Sequence, residues 1–328
     1  MKKDQRQDKD NYLHTLHVFR GQGELLTDEA RNRAFSSAIR KHVRPGSSVL
    51  DIGTGTGIWA IAAALAGADR VVAVERDSLL IPIIRNTVKE NGVSDRVEVV
   101  HGSSRHLELN ERFDLIVSET IGNQAFEEEI VPIMTDARKR YLKPGGVLIP
   151  SDVSFVVAPA HFENYLEGSP AGVSMKYSYF QTLNINIPLV LIDKSRLKII
   201  SSPKELIRVD LNQSNYPPDL SHLTAQWKHI DTPDINCFAV WAEMTLARGV
   251  KISTLKTSSW SPVIYLIKPF KQSRGTVEFT LNMTEKTHYW SAALSNRKEN
   301  ELHSYSPVFA YTSLINHIRK AEAFSRKK

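Results

Sequence analysis

The sequence predicts an α/β protein whose first half forms an open, mainly parallel sheet and whose second half forms an antiparallel β domain. Between Ser48 and Pro150, short apolar runs alternate with helix-like segments, which is typical of parallel strands joined by right-handed crossovers. After Pro150, strand-like runs follow one another with turn-rich stretches between them, which indicates antiparallel pairing. We therefore expect a Rossmann-like domain followed by a domain that resembles a β-barrel.

The elements of the first half each have a recognisable pattern. Apolar runs predict four parallel strands, at 48–53, 70–75, 96–102 and 113–119. Helical periodicity and composition predict helices at 24–43, 58–66, 79–91 and 126–142. The turn Lys143-Pro-Gly-Gly146 ends the last of these helices, and the run VLIP starts a further strand.

The second half contains the strand-like runs VSFVVAP, LIRVDL, CFAVWAEMTL, SPVIYLI, TVEFTLNM and HYWSAAL. We accordingly divide the chain into an N-terminal helical segment at 1–45, the Rossmann-like domain at 46–150 and the β domain at 151–328. Partly helical, aromatic residues near 160–185 predict an arm. The last twenty residues are predicted to be helical.

Composition narrows the class of protein. The chain has 328 residues, 41% of them hydrophobic and 24% charged, and no apolar run approaches the roughly 18 residues of a membrane helix, so we expect no membrane partner. The only cysteine, Cys237, excludes an internal disulfide and a cysteine-based zinc site, and it favours the cytoplasm. We expect no metal. The net charge of +6 comes without an RNA-binding or zinc-finger signature, so a nucleic-acid partner is not expected.

The strongest local motif is the glycine loop from Asp51 to Gly57, of sequence DIGTGTG, which follows an apolar strand and leads into a helix. Gly53, Gly55 and Gly57 permit a tight turn and close approach of a ligand to the backbone. Glu75 ends the next strand, where a carboxylate can bind ribose hydroxyls.

The acid before the loop distinguishes between two nucleotide ligands. A dinucleotide site uses the spacing G-x-G-x-x-G to bind a pyrophosphate, whereas this loop has G-x-G-x-G preceded by Asp51. A carboxylate at the strand tip repels phosphate and suits an ammonium group. The loop therefore predicts S-adenosylmethionine rather than NAD.

A second acidic site is predicted where the fourth strand ends. Glu119 follows this strand, and the acidic run 127–129 lies nine residues further on, after a loop in which Gly122 lets Glu128 fold back toward Glu119. Two carboxylates that face one point need a shared proton or a cation, and a guanidinium is a planar cation with donors spaced for carboxylates. Alternatively, residues 127–129 are acids placed at a helix N-terminus.

These motifs together resemble the protein arginine methyltransferase family. The glycine loop and Glu75 match its cofactor site, and residues 118–128, SETIGNQAFEE, match its double-glutamate loop without a gap. Residues 25–31, LLTDEAR, resemble the helix motif whose arginine binds the cofactor's carboxylate. The resemblance implies a class I methyltransferase with a barrel domain and a head-to-tail homodimer made by the arm.

The resemblance also implies a role for each site residue. Arg31 would bind the cofactor's carboxylate, Asp51 its ammonium and the backbone near Ser104 its adenine, while Glu119 and Glu128 would be the catalytic pair. The family's Thr-His-Trp motif of the barrel becomes Ser258-Ser259-Trp260, so the histidine that pairs with the helix aspartate, here Asp28, is missing. Thr120 replaces an aromatic residue, and 123–125 replace bulky apolar ones.

The predicted function is N-methylation of a guanidino group, in free arginine, in a small molecule, or in a peptide or protein. An alternative is a methyltransferase for another small-molecule or amine acceptor, in which Glu128 is dispensable. A second alternative is a scaffold that keeps the fold without catalysis. A nucleic-acid N-methyltransferase would have an Asn/Asp-Pro-Pro-aromatic loop after the fourth strand, and Ser118-Glu119-Thr-Ile differs from it.

Overall fold

The computed structural model describes most of the chain. The described residues are 2–163, 173–176, 185–232, 234–268, 270, 274–284, 288–295 and 301–305. The arm predicted near 160–185 lies mostly outside the described residues, and the helix predicted for the last twenty residues lies wholly outside them.

The chain divides into two units, and the division differs from a single boundary at residue 150. The first unit comprises Met1–Ser154, Arg208–Pro217 and Ala242–Ser261, and the second comprises Phe155–Ile207, Pro218–Trp241 and Pro262–Lys328. The two later segments join the first unit because they pair with the chain around Ser151. The N–H of Ser151 donates to the Thr245 carbonyl at 2.8 Å, and the N–H of Leu211 donates to the Ser151 carbonyl at 2.9 Å.

The first unit contains a five-stranded parallel sheet, which confirms the predicted fold class. Its strands are β1 (Ser48–Ile52), β2 (Arg70–Glu75), β3 (Val97–His101), β4 (Phe113–Ser118) and β5 (Leu142–Ile149). The spatial order is β3-β2-β1-β4-β5, so the order of strands reverses beside the central strand β1. Such a switch point opens a crevice at the carboxyl ends of the strands, where ligands bind in open α/β sheets.

Five helices accompany this sheet. They are α1 (Lys2–Thr27), α2 (Glu29–His42), α3 (Ile58–Leu65), α4 (Ile81–Glu90) and α5 (Ile130–Tyr141). The helix predicted at 24–43 is two helices, because the Asp28 side chain accepts from the Arg31 N–H and caps a new helix there. Among the described residues, no helix has the length and apolarity that crossing a membrane requires.

The last helix begins later than predicted. The sequence places its start at Phe126, but α5 starts at Ile130. Ala125 and Glu129 both have left-handed backbone conformations, with φ of 64° and 62°, and such residues interrupt a right-handed helix. Residues 126–129 therefore belong to the loop after β4.

Antiparallel pairing dominates the remaining strands. One four-stranded sheet of the second unit has the order β10 (Leu223–Asp231), β14 (Arg274–Met283), β15 (His288–Ser295) and β16 (Glu301–Tyr305). The other strands are β6 (Asp152–Phe162), β7 (Leu189–Val190), β8 (Leu197–Ile199), β9 (Lys204–Asp210), β11 (Cys237–Ala247), β12 (Val250–Ser253) and β13 (Val263–Leu266). Short 3₁₀ turns lie at Lys194–Arg196 and Thr254–Lys256.

An aromatic cluster forms the core of the second unit. Phe238 and Phe279 stack with ring centroids 4.3 Å apart, and Tyr265 meets Trp290 edge-on at 5.1 Å. All four side chains are buried. The rings come from antiparallel strands, and β11 and β13 are buried continuously where Phe238 and Tyr265 lie.

Candidate functional site

The first unit contains a cavity of about 990 Å³ beside the carboxyl ends of its central strands. The predicted site residues that line it are Arg31, Gly53, Gly55, Glu75, Ser104, Glu119 and Glu128. Asp51 and Gly57 belong to the same loop but are not among its lining residues. Residues of α1, including His14 and Gln22, line the cavity as well.

The glycine loop has the conformation that its sequence predicts. Gly53 and Gly55 have φ of +70° and +59°, a region that residues with a Cβ adopt at a cost. A Cβ atom on Gly53 would lie 3.0 Å from the Thr120 side chain. A Cβ atom on Gly55 would lie 2.7 Å from Oε1 of Gln22. Glycine is therefore needed both for the turn and for space beside the cavity.

Glu75 fixes this loop from the neighbouring strand. Its carboxylate accepts the N–H of Gly55 and the N–H of Asp77, each at 2.9 Å. The side chain is buried at the end of β2 and lines the cavity. Glu75 therefore presents an acceptor at the expected position while it holds the backbone on both sides.

Asp51 is fully buried at the end of β1. Its Oδ2 atom accepts from the Thr54 hydroxyl at 2.5 Å and from the Ala60 N–H at 2.9 Å, whereas Oδ1 is buried without a hydrogen-bond partner. Burial raises the pKa of Asp51 to about 7, and the hydrogen bonds from Thr54 and Ala60 offset only part of this effect. Because Oδ1 of Asp51 is buried without a hydrogen-bond donor, it is suited to accept one from a cation such as an ammonium group.

The structure joins two residues that the sequence assigned to different ligands. The Arg31 guanidinium pairs with the Glu119 carboxylate, and both side chains are almost fully buried. The carbon atom of the guanidinium lies 4.9 Å from the Trp59 ring centroid and 5.7 Å from the Trp260 ring centroid. Nε of Arg31 is buried without a partner. Arg31 is thus held by the Glu119 carboxylate, by aromatic rings and by hydrogen bonds from Nη1 to the Leu25 carbonyl and to Oδ1 of Asn32, and only Nε is left without an acceptor.

The two predicted catalytic carboxylates share this environment. Burial raises the pKa of Glu119 to about 7, against the lowering effect of Arg31, and the charge of Glu128 raises it further. Partial desolvation in the cavity, followed by the charge of Glu127, raises the pKa of Glu128. The electrostatic coupling of the pair is what a cation placed between two carboxylates would relieve.

The loop after β4 is stabilised by the acids beside Glu128. The Glu127 carboxylate accepts the Gln124 N–H at 3.2 Å, and it lies where a Cβ atom on Gly122 would be. Glu129 forms an ion pair with Arg105 at 3.2 Å. Glu129 is the residue immediately before α5 and makes no side-chain capping hydrogen bond, so the alternative that residues 127–129 are acids at a helix N-terminus stays a prediction.

Asp28, whose histidine partner is missing from the sequence motif, has other hydrogen-bond donors in the structure. Asp28 Oδ2 accepts from the Ser259 hydroxyl at 2.6 Å and from the N–H groups of Ser258 and Ser259 at 3.0 and 2.9 Å. Burial would raise the pKa of Asp28, but these hydrogen bonds and the Arg31 N–H outweigh it, and the pKa lies below its ordinary value. Ser258-Ser259-Trp260, which was expected in the β domain, groups with the first unit.

The residues that line the cavity, together with Asp51 at the start of the glycine loop, fit S-adenosylmethionine. The unpartnered Oδ1 of Asp51 and the unpartnered Nε of Arg31 offer one acceptor and one donor for the two charges of an amino acid. The open face of the glycine loop and the Glu75 carboxylate suit a nucleoside. In the parts of the chain that the structure describes, no group of three or more His, Cys, Asp and Glu residues is arranged to hold a metal ion.

Comparison with known proteins first gives the class. A family model described as ribosomal protein L11 methyltransferase (PrmA) matches residues 35–153. That range contains the parallel sheet, the glycine loop and the acidic loop after β4. Fold and site therefore define a methyltransferase-type nucleotide-binding domain.

Relatives over a longer range then give the family. Protein arginine N-methyltransferase 6 of Xenopus tropicalis is 30% identical over 251 residues, which cover 72% of this chain and 73% of that protein. The chain therefore belongs to the protein arginine N-methyltransferase family. The probable protein arginine N-methyltransferase 6 of Arabidopsis thaliana is 37% identical over 157 residues, or 47% of this chain, and this match spans only 36% of the plant protein.

A solved structure extends the likeness across both units. The Trypanosoma brucei PRMT1 enzyme-prozyme heterotetrameric complex with AdoHcy matches with a TM-score of 0.72 and 21% identity. The match covers 86% of this chain and 95% of that one. At this identity the likeness establishes the fold, which includes the antiparallel β domain.

Proposed function

We propose that this protein transfers a methyl group from S-adenosylmethionine to a guanidino nitrogen of arginine in a protein substrate. One observation carries the proposal. The Glu119 carboxylate, which faces the cavity together with Glu128, already binds a guanidinium, that of Arg31. The carboxylate predicted to bind the acceptor therefore already neutralises a guanidinium, the charged group that an arginine acceptor carries.

The cofactor would be held by residues of the glycine loop and its neighbours. Arg31 would bind the carboxylate and Asp51 the ammonium of its methionine part, and Glu75 would bind the ribose. Ser104 is buried in the lining of the cavity, beside the expected adenine position. The bound cofactor supplies a methyl group on a positively charged sulfur.

The acceptor side relies on positioning and charge. Glu119 and Glu128 would orient the guanidinium and direct one terminal nitrogen toward the cofactor side of the cavity. Their carboxylates stabilise the positive charge of the acceptor. Because the pKa of each carboxyl group is raised, one of them can take up the proton that the nitrogen releases. Burial of Glu119 excludes water and strengthens its interaction with the cation.

Methyl transfer from labelled S-adenosylmethionine tests the proposal, with an arginine-rich peptide, the matching lysine-rich peptide and free arginine as parallel acceptors. We expect mass increments of one or two methyl groups on the arginine peptide alone. Methylation of free arginine would replace a protein substrate by a small molecule. Methylation of the lysine peptide would favour the amine-acceptor alternative.

The non-catalytic alternative is tested with the same preparation. Calorimetry with S-adenosylhomocysteine measures whether the cavity binds the cofactor product at all. Binding without transfer to any acceptor would favour a scaffold, and absence of binding would overturn the cofactor proposal itself.

Gly53→Ala tests the assignment of the cavity. Alanine at φ +70° costs about 1–2 kcal/mol of stability, and its methyl group also meets Thr120 beside the cavity. We expect cofactor affinity to fall about tenfold or more. Gly92→Ala is the matched control, because Gly92 has φ +66° and open space around its Cβ position. Equal affinities in the two variants would contradict the assignment.

We further propose that the protein acts as a homodimer in the cytoplasm. The support is the heterotetrameric assembly of the similar Trypanosoma brucei structure and, for the compartment, a sequence with a single cysteine and therefore no internal disulfide. Light scattering at micromolar concentration would give twice the 37.0 kDa chain mass for a dimer. A single-chain mass would contradict the oligomeric part of the proposal.

A further inference from the structure

Residues 102–107, here called the β3 loop, follow β3 and form one wall of the cavity. The first five of them line it, on the side where the adenine of the cofactor is expected. Ser104 is buried in the middle of the loop, whereas the two residues after it are exposed. The base would therefore contact the backbone of this loop, so any group that fixes the backbone affects how the base is bound.

The backbone of the β3 loop has donors that are left for a ligand. The N–H groups of His106 and Leu107 both donate to the Ser103 carbonyl, at 2.9 and 3.0 Å, which closes a single turn. Among the described residues, the N–H groups of Ser104 and Arg105 have no backbone acceptor. The N–H groups that open such a turn point in the opposite direction to the carbonyl groups that end it. Carbonyl groups held outside the cavity therefore leave the two N–H groups for its interior.

One side chain of α5 holds the carbonyl groups of the β3 loop. Nη1 of Arg140 donates to the Ser104 and Arg105 carbonyls, at 3.2 and 3.3 Å. Its Nη2 donates to the Leu107 carbonyl. Arg140 is not among the residues that line the cavity. Three carbonyl groups of the loop thus converge from one side on a planar cation whose donors have a fixed geometry.

Two neighbours in α5 hold the Arg140 guanidinium in this position. Asp136, one helical turn earlier, pairs with Nη1 at 3.1 Å, and the Tyr141 ring centroid lies 4.6 Å from the carbon atom of the guanidinium. The Tyr141 hydroxyl also donates to the Leu107 carbonyl, at 2.5 Å. A basic residue in the last turn of a helix commonly does no more than stabilise the helix dipole. Arg140 differs from such a residue because its donors are bound to the carbonyl groups of another loop.

We propose that Arg140 is a positioning residue for the adenine of the cofactor and that it sets the preference of the cavity for this base. By holding the carbonyl groups of the β3 loop outside the cavity, Arg140 presents the N–H groups of Ser104 and Arg105 to a ring nitrogen that accepts a hydrogen bond. Adenine has such an acceptor at N1, whereas hypoxanthine carries a hydrogen there. This inference rests on the cofactor part of the proposed function and is independent of the methyl acceptor.

Two ligands that differ at one edge of the base test the proposal, S-adenosylhomocysteine and S-inosylhomocysteine, in which hypoxanthine replaces adenine. Calorimetry on the wild type should give an affinity about 10–100-fold higher for the adenine compound, because a donor on hypoxanthine would face the donors of the loop. In Arg140→Met we expect this ratio to narrow to about threefold or less, mainly through weaker binding of the adenine compound. Because both affinities are measured on one preparation, a fraction of unfolded protein does not change the ratio.

Arg138→Met is the matched control in the same helix. Arg138 also donates to backbone carbonyl groups, those of Leu211 and Ser214, and neither residue lines the cavity. We expect this variant to lose thermal stability to a similar extent and to keep the base preference of the wild type.

Two smaller changes grade the effect. Arg140→Lys keeps the charge but lacks the fork of donors that reaches three carbonyl groups, so we expect a ratio between those of the wild type and Arg140→Met. Tyr141→Phe removes one of the two side-chain donors to the Leu107 carbonyl and should narrow the ratio by about twofold to threefold.

The base preference decides the inference. A ratio that narrows in Arg140→Met and keeps its wild-type value in Arg138→Met supports it. A wild type without preference for adenine, an unchanged ratio in Arg140→Met or equal narrowing in both variants would overturn it. If the wild type binds S-adenosylhomocysteine but methylates no arginine acceptor, the proposed function fails while a narrowed ratio still supports the inference. A wild type that binds neither compound would overturn both.

Discussion

Glu119→Gln should reduce methyl transfer to an arginine peptide by about 10³-fold or more while the cavity still binds S-adenosylhomocysteine. The substitution keeps the size of the side chain and removes its charge, so a guanidinium acceptor loses its principal buried counterion. The same change releases Arg31 from its carboxylate, which leaves its donors available to the cofactor. Turnover by mass spectrometry and cofactor affinity by calorimetry separate the two effects.

Loss of folding must be distinguished from loss of catalysis in this variant. Removing one partner of the buried Arg31–Glu119 pair costs about 3–5 kcal/mol, partly offset by the aromatic rings around Arg31. Thermal denaturation of the liganded protein shows whether the variant is folded. Glu129→Gln, in the same loop but exposed, should retain activity within about threefold. A folded Glu119→Gln protein with near-normal turnover would rule out the guanidinium site.

Asp51→Asn should make the protein more stable at pH 8 and weaken its affinity for the cofactor. The folded pKa of Asp51, about 7, lies above its ordinary value of 3.8, so the folded state binds more protons between these two values. The stability of the wild type therefore falls as the pH rises through this window and is level above it. Asparagine carries no charge to desolvate, and we expect a gain of about 1–3 kcal/mol at pH 8 after the cost of one unpaired amide group.

Two measurements check this result. Urea denaturation at pH 5 and pH 8 should show a smaller loss of stability with rising pH in Asp51→Asn than in wild type. Affinity for S-adenosylhomocysteine should fall about 10–100-fold, because the charged acceptor for the ammonium is gone. Asp95→Asn changes an exposed carboxylate and should alter neither quantity. Unchanged cofactor affinity in Asp51→Asn would contradict the role proposed for Asp51.

The sequence predicted those features that depend on local pattern. The strands that became β1, β2 and β4 were found because nearly fully buried strands have continuous apolar runs, and β3 because its apolar valines persist although it is only partly buried. The glycine loop was found because only glycine suits its turn. Short or amphipathic strands such as β7, β8 and β10 escaped detection. β7 has only two residues, and β10 has an alternating pattern with few apolar residues in sequence. Neither pattern can be distinguished from the turn-rich segments around it.

The candidate site was predicted as a set of residues but not as a set of contacts. The family resemblance pointed to Arg31 and the end of the fourth strand to Glu119, yet no local signal indicated that they would pair across 88 residues of sequence. The bond between Asp28 and Ser259, separated by 231 residues, was missed for the same reason. The hydroxyl of Ser259 and the backbone N–H groups of Ser258 and Ser259 satisfy the Asp28 carboxylate as well as a histidine ring N–H would. Because every residue but proline has a backbone N–H, such donors cannot be recognised from the sequence.

The first unit consists of three separate stretches of the chain, and this affects how it can be isolated and when it can fold during synthesis. A fragment that ends at Ser154 would contain every residue of the glycine loop and the acidic pair but would lack Arg208–Pro217 and Ala242–Ser261. Asp28, Ile121 and Asn123 would then lose the donors that residues 258–261 supply. During synthesis, the nucleotide-binding fold can therefore reach its final form only after residue 261 has left the ribosome. A fragment designed to bind the cofactor would therefore have to extend to Ser261.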